Sequence, residues 1–212
     1  MSILKFENNG IRFDLQLIAS WIEPGSKVLD LGCGDGKLLH FLKKHQQVEG
    51  TGIEKEEKKV AGCIAKGLSV LQGDINTEVL DFPDKAFDYI ILSQTLQQVF
   101  EPDQLIRSML RIGHYGIVSF PNFSHWQVRL QLLTGGFAPV TPQLPYQWYD
   151  TPNIRVITLK DFKRFSREVG FQIVKAVAVN TQNQEKHGRM IRFLPNSRAS
   201  YGIFLIRGQD HN

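Results

Sequence analysis

Short apolar runs alternate with stretches of helical periodicity along most of the chain. Residues 28–31 (Val28-Leu29-Asp30-Leu31) lie between a turn at Pro24-Gly25-Ser26 and glycines at 32, 34 and 36, which predicts a buried first strand running into a tight loop. Over 37–44, Leu38, Leu39, Phe41 and Leu42 fall on one face of a helix. Strands follow at 48–54, 70–75, 87–94 and 116–120. Between them lie a helix over 55–66 with Val60, Ala61 and Ile64 inward, a loop over 76–84 with one helical turn at most, and a helix from Pro102 through Leu110. A leading amphipathic helix over 14–22 has Asp14 at its N-cap position, and either covers the sheet's ligand crevice or only packs on the sheet. Thr158 to Asp161 caps a helix that ends at Gly170, and apolar strands at 171–179 and 200–206 close the chain as a hairpin. The pattern predicts an α/β architecture built on a seven-stranded, mostly parallel sheet.

The loop after the first strand reads G-x-G-x-G. A dinucleotide fingerprint would need its third glycine where Lys37 stands. Asp30 and Asp35 flank the loop and would repel a pyrophosphate, while a ligand carrying an ammonium and a sulfonium would be attracted. S-adenosylmethionine has both. Gly32 and Gly34 let backbone approach such a ligand. Glu54 ends the second strand, where an open parallel sheet places the carboxylate that takes ribose hydroxyls. Asp74 follows the third strand, placed to accept from an exocyclic adenine amine, and Ser93 closes the fourth at the same crevice. These features in order point to a Rossmann-like class I methyltransferase fold.

Ser93-Gln94-Thr95-Leu96-Gln97-Gln98 is an uncommon polar stretch; Gln94 and Gln97 either orient a substrate or adenine edge, or belong to a solvated loop. Residues 123–157, rooted at the end of the fifth strand, show only a short helix over 126–133 and form an insertion or lid. Trp126, Phe137, Tyr146, Trp148 and Tyr149 stand there among four prolines. Three readings are open: an aromatic cage for a substrate or sulfonium, a partner-docking surface, or a small hydrophobic cluster of its own. His125 beside Trp126 is either a structural hydrogen-bonder or a catalytic group.

The 212 residues suit one domain, and 42% hydrophobic with 22% charged residues is the balance of a soluble globular protein. With no apolar run of spanning length, no signal-peptide pattern and two cysteines outside any disulfide framework, a cytoplasmic protein is expected, with neither membrane nor nucleic-acid partner. A net charge of +4 is small and spread out. The local exception is Lys186, Arg189, Arg192 and Arg198, a solvated loop or a phosphate-binding patch. No metal-ligand spacing occurs.

Several longer motifs resemble the bacterial MetW family of methionine biosynthesis. They are the glycine loop, Gly52-Ile53-Glu54, Gln72-Gly73-Asp74, the run from Ile91 to Gln97, Val118 to Phe123 with His125-Trp126, and Leu144-Pro145-Tyr146 with the run from Trp148 to Ile154. The likeness runs from about Phe13 to the end of the chain. It implies a class I S-adenosylmethionine-binding fold with Asp30, Gly32, Gly34, Glu54, Asp74 and Ser93 as cofactor contacts, and association with a homoserine O-acyltransferase, either the O-acetyltransferase or the O-succinyltransferase. Bound cofactor, S-adenosylmethionine or S-adenosylhomocysteine, is then sensed by an accessory subunit or consumed by a small-molecule methyltransferase. In the second case Gln94, Gln97, His125 and Tyr146 are the acceptor-orienting candidates, because methyl transfer needs alignment more than a base.

Overall fold

The computed structural model describes residues 10–182 and 187–209. The first part of the chain alternates through α1 (Phe13–Ala19), β1 (Lys27–Leu31), α2 (Lys37–Gln46), β2 (Glu49–Glu54), α3 (Glu57–Ala65), β3 (Ser69–Gln72), α4 (Ile75–Glu78), β4 (Phe87–Ser93), α5 (Pro102–Ile112) and β5 (Gly113–Pro121). It continues through α6 (Trp126–Gly135), α7 (Leu159–Val169), β6 (Phe171–Gln182), β7 (His187–Met190), α8 (Pro195–Arg198) and β8 (Tyr201–Gly208). The strands form one eight-stranded sheet in the order β3-β2-β1-β4-β5-β8-β6-β7. The first five strands are parallel, and β8, β6 and β7 join antiparallel at one side.

Period-two alternation sends β1 side chains to two cores. Val28 packs with Ile18, Leu39 and Leu42 on the α1 and α2 face. Leu29 and Leu31 pack with Ile106, Met109 and Phe162 on the α5 and α7 face. From β1 the chain winds outward to β3 and then returns to lay β4 on the other side of β1. That reversal opens a crevice at the carboxyl ends of β1 and β4, where doubly wound sheets bind ligands.

The sheet has one strand more than the seven expected. β7 arises inside the basic segment read as a loop, and HGRM has no apolar alternation to announce it. Its backbone pairing runs from Val179 with Met190 to Gln182 with His187. Gly188 is needed there, because a Cβ at that position would run into the Phe13 ring. Lys186 lies outside the described residues. Asp14 is not an N-cap: Arg12 holds that position, and Asp14 sits buried within α1. α3 buries Val60 and Cys63 rather than Ala61 and Ile64, because Cys63 packs beneath the glycine loop and sets the helix's rotation. The third strand stops at Gln72, since Asp74 accepts from the Asn76 amide at 2.9 Å and turns the chain into α4. The capping box at Thr158 and Asp161 and the left-handed Gly170 bound α7 as expected.

Candidate functional site

The glycine loop carries Gly32, Gly34 and Gly36 at φ of 76°, 58° and 71°, a conformation that disfavours any side chain. Their surroundings differ. A Cβ on Gly36 would lie 2.5 Å from Leu68 and 2.8 Å from the Cys63 sulfur, so that glycine serves packing. A Cβ on Gly34 would meet nothing within 4 Å, which leaves this part of the backbone open to an approaching ligand. The Gly32 and Cys33 N–H groups donate to the Ile53 carbonyl at 2.8 and 3.1 Å and fix the loop against the end of β2.

Glu54 is buried at the carboxyl end of β2. Its Oε2 accepts from the Gly34 N–H and its Oε1 from the Glu56 N–H, both at 2.9 Å. Each oxygen keeps a lone pair for a further donor. Asp30, one residue from the end of β1, is 3% exposed, and its Oδ1 has no hydrogen-bond partner. Burial, and secondarily the Glu54 charge, push its pKa up to about 7. An acid so placed is costly to ionise by itself and gains from a cation brought beside it. Burial likewise raises the Cys33 thiol, which disqualifies it as a thiolate nucleophile.

Asp30, Gly32, Gly34 and Glu54 therefore meet at one rim. Asp74 is beside them, since Glu54 pairs with Gln72 in the sheet and Lys55 Nζ lies 3.7 Å from the Asp74 carboxylate. The Asn76 amide holds Asp74 below its ordinary pKa. Asp35 turns outward to Lys37 at 2.6 Å. Ser93 ends β4 with its hydroxyl 3.1 Å from that of Ser119 on β5, a neighbour the apolar look of that strand concealed.

The carboxamide nitrogens are engaged internally. Gln94, at φ 55°, donates from Nε2 to Asp14 at 3.0 Å. Gln97 donates from Nε2 to the Gln94 backbone carbonyl at 2.7 Å, its buried Oε1 has no hydrogen-bond partner among the described residues, and its backbone carbonyl accepts from the Ile154 and Arg155 amides, which ties residues 154–155 to the segment after β4. His125 is the N-cap of α6, its Nδ1 accepting from the Gln127 amide at 3.4 Å, and burial lowers its pKa.

At the insertion's base the Phe123 N–H donates to the Ile157 carbonyl at 3.0 Å. Asn122 anchors the root by donating from Nδ2 to the Asn196 and Ala199 carbonyls. The five aromatics do not form a cluster of their own. Trp126, Phe137, Tyr146, Trp148 and Tyr149 are all exposed, with Trp148 at 75% and Tyr149 at 71%. Lys59 on α3 has its pKa raised chiefly by Glu56.

A parallel sheet with this strand reversal, a glycine-rich first loop and an acid closing β2 is the fold of S-adenosylmethionine-dependent methyltransferases. Two solved structures bear this out: an S-adenosylmethionine-dependent methyltransferase from Archaeoglobus fulgidus (TM-score 0.68, 15% identity, 91% of this chain and 90% of that one) and a possible histamine N-methyltransferase from Thermotoga maritima (TM-score 0.64, 18% identity, 92% and 87%). Within that fold, the chain belongs to the family described as methionine biosynthesis protein MetW, which it matches over residues 12–206. A similar protein is the bifunctional methionine biosynthesis protein MetXA/MetW of Rhodopirellula baltica, 35% identical over 162 residues, covering 72% of this chain and 26% of that protein. The ubiquinone/menaquinone biosynthesis C-methyltransferase UbiE of Stenotrophomonas maltophilia is 31% identical over 105 residues, 45% of this chain and 41% of that protein. The chain thus spans well under half the length of these relatives. Among the described residues, no helix is long and apolar enough to cross a membrane.

Proposed function

We propose that the chain binds S-adenosylmethionine or S-adenosylhomocysteine at the Asp30–Glu54 rim and acts as an accessory partner of a homoserine O-acyltransferase. The observation that carries the cofactor reading is the buried Asp30 carboxylate with an unpartnered oxygen beside a glycine loop whose Gly34 faces open space. The residues fit the ligand: Asp30 suits an ammonium or sulfonium, the free lone pairs of Glu54 suit ribose hydroxyls, and Asp74 suits an amine donor. When bound, S-adenosylmethionine supplies an electrophilic methyl group.

The accessory role is supported by three things. The Nε2 groups of Gln94 and Gln97 and the Nδ1 of His125, which would help orient a methyl acceptor, are taken up by Asp14, the Gln94 carbonyl and the α6 cap. The segment over 123–157 instead presents large exposed aromatics, including the Trp and Tyr types that anchor interfaces. The Rhodopirellula baltica relative is a bifunctional protein, MetXA/MetW. Cofactor occupancy that favours one lid position would shift the partner's population of states. The acyltransferase would be assayed with and without this chain, and pulled down with it, in the presence and absence of cofactor. Association with a changed rate supports the role, while no association and an unchanged rate refutes it.

A second reading, a small-molecule methyltransferase, draws on the UbiE likeness. Radiolabelled methyl transferred to a metabolite in cell extract would favour it, and retention of label on the cofactor across broad extracts would count against it.

A further inference from the structure

We propose that a hollow on the α7 face of the sheet, away from the cofactor rim, is a second binding site, for a soluble small molecule with an acidic head and an apolar body. The hollow has a volume of about 760 Å3, within the range of pockets that take cofactor-sized ligands. It lies over β6, bounded by α7 and residues 190–197. None of the six cofactor candidates lines it, and β4 and β5 separate it from β1 in the sheet.

Its floor is apolar: Leu159, Ala176, Ala178, Ile191 and Phe204. The depression exists because β6 presents only methyl groups at Ala176 and Ala178, where α7 does not cover the sheet; Ala176 remains exposed. Its rim is basic, formed by Arg129, Lys160, Lys163 and Arg192, and among the described residues no acidic side chain lines it. Arg129 is committed to Ser124. The side chains of Lys160, Lys163 and Arg192 have no hydrogen bond or ion pair among the described residues. The nearest acids on α7 are already engaged, Asp161 by Thr158 at 2.6 Å and Glu168 by Arg164 at 2.8 Å. Leu194, at φ 47°, adds an exposed apolar lip.

Three uncompensated cations around an apolar floor select both properties at once. An inorganic anion would leave the floor wet, and an uncharged apolar molecule would leave the cations unpaired. The concave shape suits a free molecule better than a bilayer surface. Arg192, from the basic segment prominent in the sequence, takes its place on this rim.

The test is calorimetry of the full chain with octyl phosphate, with octanol and inorganic phosphate as half-ligands. Octyl phosphate should bind at one site, with each half-ligand weaker by about tenfold or more. Two variants remove the site by different means: K160E/K163E/R192E, all at exposed positions, and Ala176→Phe, which fills the floor. Both should weaken octyl phosphate by about tenfold or more while leaving S-adenosylmethionine binding unchanged, so that failure here is distinguishable from failure of the cofactor reading. Undiminished octyl phosphate binding in the charge-reversed protein, or no binding to the unaltered protein, overturns the proposal. So does binding to phosphatidylglycerol vesicles without binding of free octyl phosphate.

Discussion

Asp14 on α1 accepts a hydrogen bond from Gln94 Nε2 at 3.0 Å, which ties the first helix to the residue that follows β4. Arg12 clamps the same carboxylate, with Nε at 3.1 Å and Nη2 at 2.7 Å. Gln94 is also held by its own amide, which donates to the Ser119 carbonyl at 2.8 Å, and so keeps a left-handed φ of 55°. An acid that looks like a helix cap is thus the fastener between α1 and the crevice end of the sheet. Asp14→Ala strands the Gln94 amide and should lower stability by about 1–3 kcal/mol, read as a fall in melting temperature of roughly 2–4 °C per kcal/mol. A melting temperature equal to that of the unaltered protein would show that the bond carries no net stability.

Asp30 should give the protein a distinctive pH response. Its folded pKa is raised from 3.8 to about 7 by burial and by Glu54. The folded state therefore holds a proton that the unfolded chain has released, so stability falls as pH rises from about 4 to 7 and levels off above. Relative to Asp30→Asn, the unaltered protein should lose up to about 4 kcal/mol across that window. A cationic ligand reverses the preference, so S-adenosylmethionine should bind the unaltered protein more tightly as pH rises through 7, with a flatter profile in Asp30→Asn. Parallel stability curves for the two proteins in urea titrations at several pH values would sink this assignment.

Glu54 joins the two motifs of the rim, since removing its carboxylate frees the Gly34 and Glu56 amides together. Glu54→Ala should weaken S-adenosylmethionine by about 1–3 kcal/mol, through the lost acceptor for ribose and a loosened loop. Calorimetry decides it: equal affinity would place the ligand elsewhere.

Trp148 and Tyr149 meet edge to face at 5.6 Å and are mostly in solvent. Replacing both with alanine should change stability by about 0.5 kcal/mol or less and leave cofactor affinity intact, yet abolish capture of the acyltransferase. Retained capture would move the docking surface off the insertion.

The succession of strands and helices and the identity of the rim were legible in the residues alone. Val28 to Gly36, Glu54 and Asp74 announce themselves through local rules, namely apolar runs, glycines at alternate positions and acids at strand ends, and those rules act over a few neighbours. What the sequence left open needed distant partners. β7 forms because the edge of β6 offers unpaired backbone to a segment with no strand pattern of its own. Asp14 meets Gln94, and Ser93 meets Ser119, only after the sheet has been assembled. The exposure of the aromatics, and the hollow that places Arg192 near Lys160 and Lys163, are likewise set by what the rest of the chain fails to cover. Periodicity encodes which face a residue takes, but burial and pairing are properties of the whole packed chain.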